Sequence, residues 1–167
     1  MPLRLIEATE EHRPLLERML QLYLHDLSEF ADTEPDKFGV YCKDHALSEE
    51  GRGDLCSFLI LLRGKPAGFA CFRPVRSHSS EPARLLEDYF VLRSYRRLGI
   101  GEEAARMLFD QIPGRWEIEI PDQNDVARSF WRQVMRRYTL RRFRELRSPS
   151  NKGIVFEFTS PPSDPIA

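Results

Sequence analysis

Leu3 and Leu5 flank Arg4, the alternation expected of a short strand with one buried side. Thr9 can cap the helix that follows, along which Leu15, Leu16, Met19, Leu20, Tyr23 and Leu27 recur at helical spacing, and Pro14 is acceptable there only within the first turn. Apolar runs over 57–62 and 67–75, on either side of Arg63-Gly64-Lys65-Pro66, predict an antiparallel hairpin. Further strands are expected over 83–92 and 116–120. Between them Ile100, Ala104, Met107, Leu108 and Gln111 fall on one side of a helix, while Glu102, Glu103, Arg106 and Asp110 take the other. That helix is a crossover, so the strands on either side of it run parallel. Asn124 suits the N-cap of a last helix, whose Ala127, Phe130, Trp131, Val134 and Tyr138 share a face. Residues 140–146 and 153–158 then read as a closing hairpin around Ser148-Pro149-Ser150-Asn151-Lys152.

The chain has 167 residues, 41% of them hydrophobic, enough for one domain with its own core; residues 1–160 are taken as that domain and 161–167 as a loose tail. A formal net charge of -1, from 25 basic and 26 acidic residues, points to neither a nucleic-acid binder nor a protein of anionic membranes. The charges are unevenly placed. From Glu7 to Glu50 there are 12 acids and 4 bases, whereas Arg128 to Arg147 holds 8 arginines and the single acid Glu145. The acidic stretch 28–54 is too long for a simple connector and is a candidate substrate-facing region with room for a short helix. Cys42, Cys56 and Cys71 have no spacing that suggests a disulfide framework or a zinc site, which fits a reduced, cytoplasmic protein without metal. No signal peptide or membrane span is apparent.

The chemistry concentrates in Arg96-Arg97-Leu98-Gly99-Ile100-Gly101, between a predicted strand and a predicted helix. Two glycines allow a tight turn and close backbone approach to a ligand. The first amides of the following helix lack intrahelical partners, and with the helix dipole they suit a phosphate or pyrophosphate. A P-loop is excluded, because no two glycines five apart precede Lys and Ser or Thr. Gly99, Gly101 and Ala104 satisfy a dinucleotide G-x-G-x-x-A, with Glu119 at ribose distance, but six residues separate Leu92 from Gly99 and too few helices follow for a doubly wound sheet.

Arg96-x-x-Gly99-x-Gly101 after a strand, followed by helix, strand and Asn124-x-x-Ala127-x-x-Phe130-Trp131, resembles the acyl-CoA-binding core of the GNAT N-acetyltransferase superfamily. The resemblance implies an α+β fold: a mostly antiparallel twisted sheet of about six to seven strands, flanked by helices, with one splayed parallel pair that admits the pantetheine arm. It implies acetyl-CoA as cosubstrate, its pyrophosphate held by Arg96, Arg97, Leu98, Gly99, Ile100 and Gly101, and its pantetheine arm by Phe90, Val91 and Leu92. Asn124 would contact the coenzyme and Trp131 would flank the thioester.

Acetyl transfer to an amine needs a base, donors for the carbonyl oxygen and a way for the thiolate to leave. Glu87, Tyr89 and Val91 are expected on one face of their strand, with Asp88 opposite, and Glu117 and Glu119 on one face of theirs. Glu119 and Glu87 are the candidate bases. Many family members carry a tyrosine where this chain has Trp131, and indole cannot protonate a thiolate, so either Tyr89 or another group is the acid or the thiolate leaves without one. The expected acceptor is the primary amine of a small molecule or peptide, reached by direct transfer in a ternary complex. If the acidic 7–50 stretch borders its channel, a cationic amine would be favoured. A non-catalytic acyl-CoA sensor and an RNA contact by 128–147 are the alternatives, and C-terminal edge strands could pair two subunits.

Overall fold

The structure is a computed structural model that describes residues 2–41, 53–77 and 80–160. Seven strands form one sheet, β1 (Leu3–Glu7), β2 (Cys56–Leu62), β3 (Lys65–Arg76), β4 (Pro82–Val91), β5 (Gly114–Pro121), β6 (Phe143–Arg147) and β7 (Gly153–Ser160), in the spatial order β1-β2-β3-β4-β5-β7-β6. Among the described residues there are three α-helices, α1 (Arg13–Leu27), α2 (Ile100–Gln111) and α3 (Asp125–Tyr138). Every strand pair is antiparallel except β4–β5. This is the expected mixed α+β architecture.

The crossover helix α2 and α3 share one face of the sheet, and α1 covers part of the other. On the first face Phe109 and Trp116, both fully buried, form the centre of an aromatic cluster with Phe72, Trp131, Tyr138 and Phe158, at ring separations of 4.8 to 6.4 Å. Offset and edge-to-face rings of this kind add to the area they bury. The helical stripe differs from the expected one: α2 buries Ala105 and Phe109 along with Ile100, Ala104 and Leu108, while Met107 is half-buried and Gln111 exposed. A helix lying across a sheet and against another helix has two contact faces, so its buried arc is wider than one stripe. On the second face α1 sets Leu16, Met19 and Leu20 against Leu59, Phe69, Cys71 and Phe90, sheet residues drawn from β2, β3 and β4.

Local rules account for most boundaries. The β2–β3 hairpin closes on two residues, Arg63 and Gly64, with φ of 53° and 76°, so Lys65 and Pro66 begin β3 rather than extend the loop. Thr9 caps a short 3-10 turn ahead of α1 and donates its amide to His12 Nδ1 at 3.0 Å; Pro14 then falls in the first turn of α1. The expected strand from residue 140 starts later, because Leu140 and Arg141 turn through left-handed backbone (φ 51° and 68°) after α3. Positions 28–41 hold turns and bends with no helix; Cys42, the rest of the acidic stretch to 52 and the 161–167 tail lie outside the described residues. No described helix is long and apolar enough to cross a membrane.

Two features of β4 prepare the site. At Cys71/Phe72 the register with β3 slips from Asp88 to Leu86, leaving Glu87 as an extra, bulged residue. Beyond it β3 and β4 come so close that a Cβ on Gly68 would lie 2.0 Å from the Phe90 carbonyl oxygen. Gly68→Ala must therefore part the two strands; a loss of about 2 kcal/mol or more, or roughly 4–8 °C in Tm, is expected in a thermal melt, and an unchanged melt would contradict this packing.

Candidate active site

The parallel β4–β5 ladder has only three pairs, Arg84 with Trp116, Leu85 with Glu117 and Leu86 with Ile118. Past them β4 runs on to Val91 still paired with β3, and β5 to Pro121 still paired with β7, but the two strands no longer pair with each other. The gap opens at the bulge. Leu92 N–H donates to Ala67 O at 2.8 Å, and in an antiparallel ladder the direction of these groups alternates, so the N–H of Val91 points away from β3 and into the gap. The same alternation turns the backbone groups of Phe90 toward β3, and its ring lies under α1 against Phe69 and Tyr23. Of Phe90, Val91 and Leu92, only Val91 offers its amide to a ligand.

At the end of the gap the chain bends through Arg93–Gly99 into α2. Gly99 is the N-cap of α2 with φ 79°, and no side chain caps the helix, so its first-turn amides open toward the loop. Arg97 takes φ 61°, a conformation that costs a non-glycine residue of the order of 1 kcal/mol. Gly101 keeps the first turn of α2 against α3, where an added Cβ would meet the Phe130 ring at 3.4 Å. Arg97, Leu98 and Gly99 are exposed and Ile100 is buried.

Arg96 is turned inward. Its Nε donates to Val91 O at 2.8 Å, its guanidinium lies 5.6 Å from the Phe90 ring centre, and Nη2 pairs with Asp26 near the C-terminus of α1. Arg93 reaches the same carboxylate through Nε at 3.0 Å and Nη2 at 2.7 Å. Burial alone would raise the Asp26 carboxyl, but hydrogen bonds and charge from Arg96 and Arg93 outweigh it and hold the group below the usual carboxylate range. Asp26 thus ties α1 to the first half of the bend. Nothing in the sequence signalled it, since the three residues meet only through tertiary packing.

The bulge changes the expected faces. Leu86 and Tyr89 both pack on the α2–α3 side, so the bulged Glu87 and its neighbour Asp88 together take the other face, where Glu87 pairs with Arg73. Tyr89 and Val91 point to the opposite, α2–α3 side. Tyr89 lies with its ring 6.2 Å from Phe130 and 5.0 Å from Trp131, and its hydroxyl donates to Gly101 O at 2.5 Å. Burial raises its pKa far above the ordinary tyrosine value. Glu119, by contrast, is exposed one residue past the last β4–β5 pair and accepts a hydrogen bond from Ser148 Oγ, which also lies 3.0 Å from Ser150 Oγ. Ser148 was missed in the sequence because the β6–β7 turn carries no mark of its distant partner. Asn124 caps α3 by accepting from Ala127 N at 3.0 Å, and Trp131 is buried against Tyr89, Phe130 and Phe109.

The sequence profile of the Acetyltransferase (GNAT) family matches residues 16–135 of this chain. The chain belongs to the GNAT family. Solved structures agree on the fold: an acetyltransferase from Thermus thermophilus aligns at 16% identity over 95% of this chain and 97% of that one, with a TM-score of 0.66. PaiA N-acetyltransferase from Thermoplasma acidophilum in complex with coenzyme A gives 13%, 95%, 99% and 0.63, and the ribosomal-protein-S18-alanine N-acetyltransferase from Escherichia coli 13%, 99%, 99% and 0.62. No curated protein matches.

As a GNAT protein the chain is an acyltransferase with acetyl-CoA as its cosubstrate. Its residues fit that molecule: uncapped amides at the start of α2 suit a diphosphate, and the unpaired Val91 edge suits an extended amide-bearing arm. Of the acids near the N-terminus, Glu17 pairs with Arg13 and Asp26 with the loop arginines.

Asp26→Asn removes the charge that holds Arg93 and Arg96, and a weakening of acetyl-CoA binding by roughly 5- to 20-fold is expected in calorimetry. Because the folded pKa of Asp26 is depressed, its stabilisation is complete above the unfolded value near 3.9 and is lost as pH falls through the folded value. The variant should lose less stability than the wild type between neutral pH and about pH 3 in urea melts, and parallel pH curves would deny the clamp.

Proposed function

We propose that this GNAT protein moves the acetyl group of acetyl-CoA directly to a primary amine within a ternary complex, with Glu119 as the base. The observation that carries the reading is the position of Glu119, an exposed carboxylate at the mouth of the β4–β5 gap, fixed by Ser148. The backbone from Arg97 to Gly101 receives the diphosphate, with the Arg97 side chain outermost, and Arg96 acts behind it by positioning Val91 and the loop. Val91 pairs with the pantetheine arm, and the α2–α3 wall of Tyr89, Phe130 and Trp131 backs it.

Glu119, directly or through a water, takes the proton that the amine must lose. The amine nitrogen then forms its bond to the thioester carbonyl carbon, the carbon–sulfur bond breaks and the electron pair leaves on sulfur. Tyr89 is an unsuitable acid for that sulfur: its proton is committed to Gly101 O and its ring is locked between Phe130 and Trp131. The Tyr89 hydroxyl braces the first turn of α2 instead. A coenzyme thiol, close in acidity to cysteine at about 8.5, departs without a protein donor.

Cys71 is unsuited to carry an acyl group, because it is fully buried and its thiol is pushed far up, chiefly by burial, with the charges of Asp88 and Glu87 adding to it. A cytoplasmic setting and a single catalytic domain over 1–160 belong to the same proposal.

Glu119→Gln should lower kcat by about 10²- to 10³-fold, the range of a lost general base, with the acetyl-CoA Kd within about twofold of wild type. Thiol release measured beside calorimetric binding checks this, and an unchanged kcat would remove Glu119 from the role.

A further inference from the structure

Helix α1 covers β2, β3 and β4, but its cluster takes no residue from β5 or β7. On the part of the same face that this cluster does not reach, Glu117 and Glu157 stand directly opposite each other in the β5–β7 ladder, each only 6% exposed. Side chains so paired have Cβ atoms about 4.5–5.5 Å apart, and like charges there oppose folding. The next residue in register, Arg144 on β6, is 63% exposed and reaches one oxygen of Glu157 at 3.4 Å. The other oxygen, Oε2, is buried without a hydrogen-bond partner.

A buried carboxylate oxygen without a donor is costly, and a sheet that needed only packing at this position would be better served by an uncharged residue. What Glu157 Oε2 lacks among the described residues is a hydrogen-bond donor. Two residues along the same face of β5 stands Glu119, at the mouth of the gap. Glu157, which faces Glu117, is then the diagonal neighbour of Glu119 across the ladder, about 7–8 Å away. Two nitrogens joined by four methylenes span five bonds of about 1.5 Å, roughly 6 Å in a zigzag.

We infer that the acceptor is a dication, an α,ω-diamine with four or five methylenes between its nitrogens or a group of equivalent charge spacing. Its distal ammonium donates to Glu157 Oε2 beside Glu117, while the near nitrogen stands at Glu119. This rests on the transfer reaction proposed above and adds the acceptor's charge and length. Glu157 is then a specificity residue that touches the substrate away from the reacting atoms, and Arg144 holds its other oxygen in place.

The test is calorimetric titration of the full chain, saturated with coenzyme A, with 1,4-diaminobutane, with butylamine and with shorter and longer diamines. The diamine should bind at least about 10-fold more tightly than the monoamine, with the optimum at four or five methylenes. In Glu157→Gln, verified as folded by its thermal melt, that ratio should fall to about twofold or less. Equal binding of diamine and monoamine, or a preference that survives Glu157→Gln, overturns the inference. If the variant does not fold, the length profile of the wild type decides alone: a flat profile overturns the inference and a peak at four or five methylenes upholds it. Thiol release from acetyl-CoA with the same amines separates the two levels. Transfer without diamine preference removes only the acceptor class, whereas failure of the protein to bind acetyl-CoA removes the transfer reaction itself.

Discussion

Two neighbouring parallel strands that pair over three residues and then part leave backbone donors and acceptors facing a gap, and such groups must find partners. The rest of the molecule keeps that gap open. The bulge at Glu87 redirects β4, the close β3–β4 contact at Gly68 holds it on one side, and the full β5–β7 ladder holds β5 on the other. Closing the gap would break a register fixed over eight pairs in the β5–β7 ladder alone. An extended, amide-bearing substrate satisfies the freed groups without that cost.

The bend beyond β4 is held with equal care. Arg97 in a left-handed conformation and Gly99 as an N-cap without a side chain are poor choices for stability but leave the start of α2 open to an anion. The strain is offset by inward contacts: Tyr89 to Gly101 O, Arg96 to Val91 O, and Asp26 across to both loop arginines. These side chains join the coenzyme loop to α1, the helix ahead of the acidic 28–41 segment.

Much of this was legible in the sequence because it depends on local rules. Strand and helix periodicity, the Gly99-x-Gly101 loop, the Asn124 cap and the parallel crossover all follow from neighbours in the chain, and the family resemblance supplied the splay. What could not be read required tertiary register. Alternation put Glu87 with Tyr89, and a single bulged residue separates them; the family motif singled out Arg96, but nothing in it showed the pairing with Asp26, some seventy residues earlier. The opposition of Glu117 and Glu157 exists only because β7 inserts between β5 and β6, an order no hairpin pattern reveals.

Amide hydrogen exchange with and without acetyl-CoA tests the gap and loop most directly. The account predicts new protection at Val91 and across Gly99 to Glu102, with Asp88 and Phe90, already bonded to β3, unchanged. Protection that appears elsewhere, or none at all at saturating acetyl-CoA, would contradict it.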